Sequence, residues 1–244
     1  MTVCADPGSF RDATNRVFST GGRILRTLDA TAAAEIDALQ STAFAGRLVE
    51  AGHLIAWDSP GDELARGLLG DGWAKVVEHP RVPFVSYPYE WSFSMLKDAA
   101  WVHLRVLEEA LENGWTLKDG TAYNVQWFGA RPVFIDLGSF ERWTEGESWV
   151  GYRQFCSHFL IPLMLKAHLG IDPSPLLRSE LEGISPSDAA RYFRGLNRMR
   201  AGVLSHVILP AAVEASVLKR ERDDAPVLAV RVDQIFVEVP ARHA

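Results

Sequence analysis

Apolar and polar residues along this chain follow two different periods, and the change between them divides it. Val17 to Leu28 (VFSTGGRILRTL) alternates around Gly21-Gly22. That pattern predicts a hairpin whose turn takes positive φ at both glycines. Residues 1–15 lack a pattern and read as an irregular arm. An Ala-rich run predicts one helix over about 30–52, capped by Asp29 or Thr31 and stopped near Gly52. Short apolar runs at Leu54–Trp57, Trp73–Glu78 and Val82–Ser86 predict strands, with a Gly- and Asp-rich loop and a short helix over 58–72. The period then becomes helical. Leu96, Ala99, Ala100, Val102, Leu104, Val106 and Leu107 share a face of a helix from Ser92 or Ser94 to about Asn113, which Gly114 ends. Beyond Phe140, helices are expected over 148–169, 174–182, 186–199 and 202–221, and Val227–Val239 as a strand pair or an extended tail.

Composition narrows the class. With 244 residues, 48% hydrophobic and 23% charged, the chain can bury a sizeable core as one large or two small domains. A net charge of −6 argues against a nucleic-acid or anionic-membrane footprint. No run of eighteen apolar residues and no signal-like start are present, so no membrane span is expected and the expected compartment is the cytoplasm. Cys4 and Cys156 do not share a metal-ligand spacing.

The chemistry concentrates between Leu117 and Phe140 (LKDGTAYNVQWFGARPVFIDLGSF). Asp119 stands five positions before Asn124, and Asp136 follows the apolar strand Pro132–Ile135 and opens an Asp-Leu-Gly triplet. One carboxylate can orient or deprotonate an acceptor hydroxyl, while an amide and a second carboxylate can hold magnesium against nucleotide phosphates. Lys118 could add charge at the transferred phosphate. The alternative for Asp119 and Asn124 is a pair of ordinary turn residues, and for Asp136 a strand-end cap.

This stretch resembles the catalytic loop and metal-binding triplet of the protein-kinase-like superfamily. Asp119 stands at the catalytic Asp, Asn124 at the loop Asn and Asp136 at the metal Asp; Leu117 and Lys118 replace the usual His-Arg. The blocks SYPYEWSFSMLKDAA, TLKDGTAYN, RPVFIDLGSFE and WVGYRQFCSHFLIPL, with PGSFRD and GGRILR, resemble the kinase-like N-terminal region of bacterial proteins catalogued as methyltransferases or nodulation-related proteins. The resemblance implies an α+β, bilobal protein-kinase-like fold with a reduced N-lobe sheet and a mostly helical C-lobe. Residues 1–86 would be the N-lobe, 87–91 the hinge, and 92–244 the C-lobe carrying the catalytic hairpin 117–140. The hinge backbone around Tyr87 and Tyr89 would meet the adenine edge.

The usual Val-Ala-Ile-Lys strand is absent, so the phosphate cation is sought among Arg26, then Arg23, then Lys75, with Glu35 on the following helix as its carboxylate partner. Gly21 and Gly22 could bring backbone N–H groups over the phosphates. The implied function is an ATP- and magnesium-dependent phosphotransferase acting on a small molecule or a modified peptide. Its alternatives are an inactive kinase-like module that binds a partner enzyme such as a methyltransferase, and an AMP-transferring enzyme. No Gly-rich strand-loop-helix with a following acidic residue occurs, so methyltransferase chemistry is not expected of this chain.

Overall fold

A computed structural model describes residues 3–11, 13–70, 72–224, 227–232 and 235–240. It is an α+β structure. Four antiparallel strands form one sheet in the order β1 (Cys4–Ala5), β2 (Asn15–Thr20), β3 (Arg23–Leu28) and β4 (Lys75–His79). The expected hairpin is β2–β3, and φ is positive at Gly21 and Gly22. The arm expected to be irregular instead supplies β1 and a 3-10 turn, Pro7–Arg11.

The Ala-rich run makes two helices, α1 (Ala30–Gln40) and α2 (Ala43–Glu50). Asp29 caps the first through Ala32 N–H. The break is local chemistry: the Thr42 hydroxyl donates to Leu39 C=O at 2.6 Å and accepts from Ala45 N–H at 3.4 Å. It thereby competes with the helix ladder and caps the next helix. The two other expected strands do not form. Leu54 and Asp58 make single bridges to Phe134 and Glu78, and Pro83 removes a ladder donor from the 82–86 run.

Side chains alternate across the sheet. Leu25 and Val76 point outward, where helix α3 (Glu63–Gly67) covers them with Ala65. Leu28 and Val77 point inward and join the main core with Phe44 and Leu48 of α2 and the buried face of α4 (Phe93–Glu112). That core continues into two two-stranded pieces, β5 (Trp115–Leu117) with β8 (Phe140–Arg142), and β6 (Val125–Phe128) with β7 (Arg131–Phe134).

The remainder is mostly helical. α5 (Tyr152–Phe155) passes through a π turn, Cys156–Leu160, into α6 (Ile161–Leu169). α7 (Ser174–Ser179) and α8 (Pro186–Ala190) come next. The helix expected over 186–199 stops early and resumes as a 3-10 turn, Gly195–Met199, with φ 54° at Gly195. A second π turn, Leu204–Ile208, leads into α9 (Leu209–Asp224), and β9 (Val227–Val232) pairs with β10 (Ile235–Pro240).

The two π turns share one sequence pattern, Ser157-His158…Pro162 and Ser205-His206…Pro210. Proline has no N–H for the carbonyl four residues back, here that of each histidine. The N–H just before each proline bonds one residue further back than usual, Ile161 to Cys156 C=O and Leu209 to Leu204 C=O.

Candidate active site

The β6–β7 hairpin does the positioning. Its register sets Val125 opposite Phe134, and Ile135 N–H extends the pairing by donating to Asn124 C=O at 2.8 Å. Asn124 and Asp136 are thereby one residue apart across a backbone hydrogen bond. Asp119 is tied to the same place from the other side: Lys118 N–H donates to Ser139 C=O at 2.7 Å and Asp119 N–H to Ser139 Oγ at 3.2 Å. The buried Ser139 thus locks the loop carrying Asp119 to the turn that Asp136 opens.

Asp136 caps that turn through Gly138 N–H at 3.1 Å, so the strand-end-cap role is present together with the cleft position. Its side chain keeps 32% of its surface open. Burial pushes its carboxyl above the ordinary carboxylate range; Arg26 and the Gly138 N–H pull it down, and the Asp119 charge pushes it up. Asp119 and Lys118 are therefore both within electrostatic reach of Asp136, and Lys118 is exposed at the cleft.

The three candidate cations separate by strand geometry. Arg26 faces inward beside Val17 and Val77, and its guanidinium reaches Asp136 at 3.9 Å. Its Nε is buried and has no hydrogen-bond partner among the described residues. Arg23 is an odd number of positions away, so it points to the opposite face. There it makes a bidentate pair with Glu78 at 2.9 and 2.6 Å and a bridge to Asp62 at 2.7 Å, and these bonds raise its pKa. Arg23 is not a cleft residue. Lys75 faces inward but is held by Asp37 of α1.

Glu35 is corrected as well. It is exposed, and no ion pair joins it to Arg26; the carboxylate that Arg26 meets is Asp136. Glu35 does line a cavity of about 290 Å3 with Arg26, Thr31, Lys118 and Gly138. The Gly21-Gly22 turn lies three residue pairs from Arg26, at the far end of the hairpin. The backbone over Arg26 is instead the segment after β1. Asp6, Gly8 and Ser9 line a cavity of about 360 Å3 with Arg26 and Asp136. Asp6 shapes that loop by accepting from Gly8 N–H at 2.7 Å, and its carbonyl accepts from the Ser9 hydroxyl at 2.8 Å. The sequence signal for it is Asp-Pro-Gly-Ser, a turn sequence inside the arm.

Between β4 and α4, Tyr87 and Trp91 are extended, but Pro88–Glu90 is a 3-10 turn. Tyr87 N–H donates to Glu90 at 2.8 Å, and both Ser86 backbone groups bond the Gln126 amide, at 3.1 and 3.0 Å. The Tyr87 and Tyr89 rings stack on each other, 5.4 Å apart. Of the backbone groups expected to meet an adenine edge, the Tyr87 N–H is therefore bonded within the protein, as is the Ser86 backbone just before the expected hinge.

Asn124 and Asp136 fit a hard divalent cation. Magnesium takes one or two protein oxygens beside substrate phosphates. The Asn124 Nδ2 is buried and unpartnered among the described residues, and turning the amide over sets its oxygen at that point. Among the described residues, no cluster of three or more His, Cys, Asp or Glu side chains could hold a metal ion.

The chain is similar to nodulation protein NoeA of Rhizobium meliloti (strain 1021), 37% identical over 217 residues that make up 89% of this chain and 45% of that protein. It spans less than half the length of that relative. No family model matches the chain. The nodulation-related part of the resemblance seen in the sequence is thus met by a relative whose name specifies no chemistry.

Proposed function

We propose that this chain is an ATP- and magnesium-dependent phosphotransferase with a bilobal, kinase-like arrangement. The N-lobe is the β1–β4 sheet with α1–α3, and the C-lobe is built from α4–α9 with the β5–β8 and β6–β7 pairs. One observation carries the reading: Arg26, on the inner face of β3, reaches over the cleft to Asp136, which Ser139 ties to Asp119. A planar, permanently charged fork suits phosphate oxygens.

The residues take distinct roles. Magnesium, when bound, neutralises charge on the nucleotide phosphates, and Asp136 and Asn124 are the residues that would hold it. Arg26 would bind phosphate, and the backbone at Gly8 and Ser9 would cover it. The acceptor hydroxyl oxygen forms its bond to the γ-phosphorus as the bond to the β,γ-bridging oxygen breaks. The hydroxyl proton passes to Asp119 and ADP leaves.

Thermal shift with millimolar ATP tests this. Magnesium-dependent stabilisation is expected in the wild type and in Asp119→Asn, and its loss in Asp136→Ala and Arg26→Met. Transfer by Asp119→Asn should fall about 10²–10⁴-fold. Absence of magnesium-dependent stabilisation in the wild type refutes the proposal.

A second reading has its own support. The Tyr87 N–H of the hinge is closed onto Glu90, and the adjoining Ser86 backbone onto Gln126, which favours an inactive module that binds a partner enzyme over one that reads adenine at the hinge. Under it, MgATP leaves the melting temperature unmoved. AMP transfer uses the same groups with the nucleotide reversed, and labelled products distinguish it from phosphoryl transfer.

A further inference from the structure

A cavity of about 500 Å3 opens beside the segment joining β4 to α4 and shares no lining residue with the cavities around Arg26. Its size is within the range that holds small organic ligands. Three aromatic rings line it, Phe84, Trp91 and Trp127. Trp91 and Trp127 belong to the main core, with centroids 6.0 Å apart and planes at 79°, so two fixed walls stand nearly at right angles. Phe84, on the run before Ser86, is 74% exposed. Met95 adds apolar surface from the first turns of α4.

The polar groups decide what such walls can hold. The Trp91 indole N–H donates to Ser86 Oγ at 2.9 Å, and the Trp127 indole N–H is shut off from solvent. Neither indole donor is open to the cavity, so the rings offer it their carbon surfaces. The Ser86 backbone N–H and C=O are both taken by the Gln126 amide. Among the described residues that line the cavity, Glu90 alone carries a charge. One of its oxygens accepts from Tyr87 N–H at 2.8 Å, which holds the carboxylate in place. The other has no hydrogen-bond partner among the described residues.

Aromatic faces attract a cation through the ring quadrupole, indole most of all. The Glu90 carboxylate adds the opposite charge at the same cavity, and the chain's net charge of −6 has the same sign. An anion would meet Glu90 and no Lys or Arg on this lining. A bare metal ion or a primary ammonium would give up water that ring carbons cannot replace. An alkylated ammonium has no N–H bonds to lose and presents methyl or methylene groups to the rings. We infer that this cavity binds an alkylated organic ammonium group, seated against Trp91, Trp127 and Phe84 with Glu90 as its counter-charge.

The probe is choline, titrated calorimetrically into the whole chain without nucleotide. Its comparator is 3,3-dimethyl-1-butanol, which has the same shape with carbon in place of the charged nitrogen. Choline is expected to bind saturably, and the neutral alcohol about tenfold more weakly. Phe84→Leu keeps apolar bulk and removes the ring, and should weaken choline about two- to tenfold. Glu90→Gln keeps an acceptor for Tyr87 N–H and removes the charge. It should weaken choline about two- to fivefold at low salt and flatten the salt dependence. Both positions are exposed, so the variants should melt near the wild type. Displacement of choline by a peptide bearing trimethyl-lysine assigns the group to a protein side chain, and no displacement assigns it to a free small molecule. No saturable binding at millimolar choline, equal binding of the neutral alcohol, or choline binding unchanged in both variants overturns the inference. Because nucleotide is absent throughout, the outcome stands whether or not the chain binds MgATP.

Discussion

Replacing His103 by Phe should flatten the acid limb of this protein's stability curve. His103 lies on α4 with no exposed surface, ringed by Phe134, Trp149, Phe155 and Phe159 at centroid distances of 5.3, 5.8, 5.5 and 5.7 Å. Neither ring nitrogen has a hydrogen-bond partner among the described residues. Desolvation penalises the imidazolium and pushes the pKa down to about 3. His79, buried beside Arg26, and His158, buried against Tyr123, are each lowered to about 4.

The sign comes from proton counting. An unfolded histidine binds its proton near pH 6.5, whereas these three stay neutral in the folded state until well below that. Between the two values the unfolded chain holds more protons, so stability is complete above about pH 6.5 and is lost as pH falls. At pH 5 each group costs about 2 kcal/mol, and the three together about 6, against about 5–15 for a whole domain. His103→Phe should recover about 2 kcal/mol of the loss between pH 7 and 5. Urea unfolding followed by tryptophan fluorescence at both pH values measures it. An equal loss in variant and wild type would show that His103 is protonated in the folded state or already shielded in the unfolded one.

Gly120→Ala should destabilise by about 1–3 kcal/mol through overpacking, because its Cβ would meet Phe155 N at 2.6 Å. The drop in melting temperature should come with weaker transfer, since the Asp119 loop must shift. Arg23→Gln should leave the urea midpoint close to that of the wild type, as expected of a partly exposed pair, and leave MgATP stabilisation intact. Loss of nucleotide binding in that variant would return Arg23 to the cleft. Gln126→Leu leaves the Ser86 N–H and C=O without partners and should cost about 1–3 kcal/mol, read as a lowered urea midpoint.

What is legible in the sequence is whatever depends on local spacing. Asp119, Asn124 and Asp136 stand out because a hairpin turns sequence separation into adjacency: the Val125–Phe134 pairing alone brings Asn124 beside Asp136. Arg26 over Arg23 needs only the parity of strand positions, and the structure supplies the register that assigns each to a face. The carboxylate partner cannot be read this way. Glu35 is the choice by analogy, one turn into a helix, but that helix leaves β3 at an angle set by packing of Ile36 and Leu39, and it hands Asp37 to Lys75 instead. The loop after β1 escapes a reading by pattern because β1 has two residues, too few to show alternation. The π turns are visible as a repeated Ser-His-x-x-x-Pro, yet helical periodicity hides them, since one inserted residue in a long apolar run barely changes its pattern. What a proline changes there is which carbonyl is left without its N–H, and that consequence appears only in the backbone bonds. The same limit applies to function: Arg26 and Asp136 are 110 positions apart in sequence, and only the packing of sheet against hairpin makes them one site.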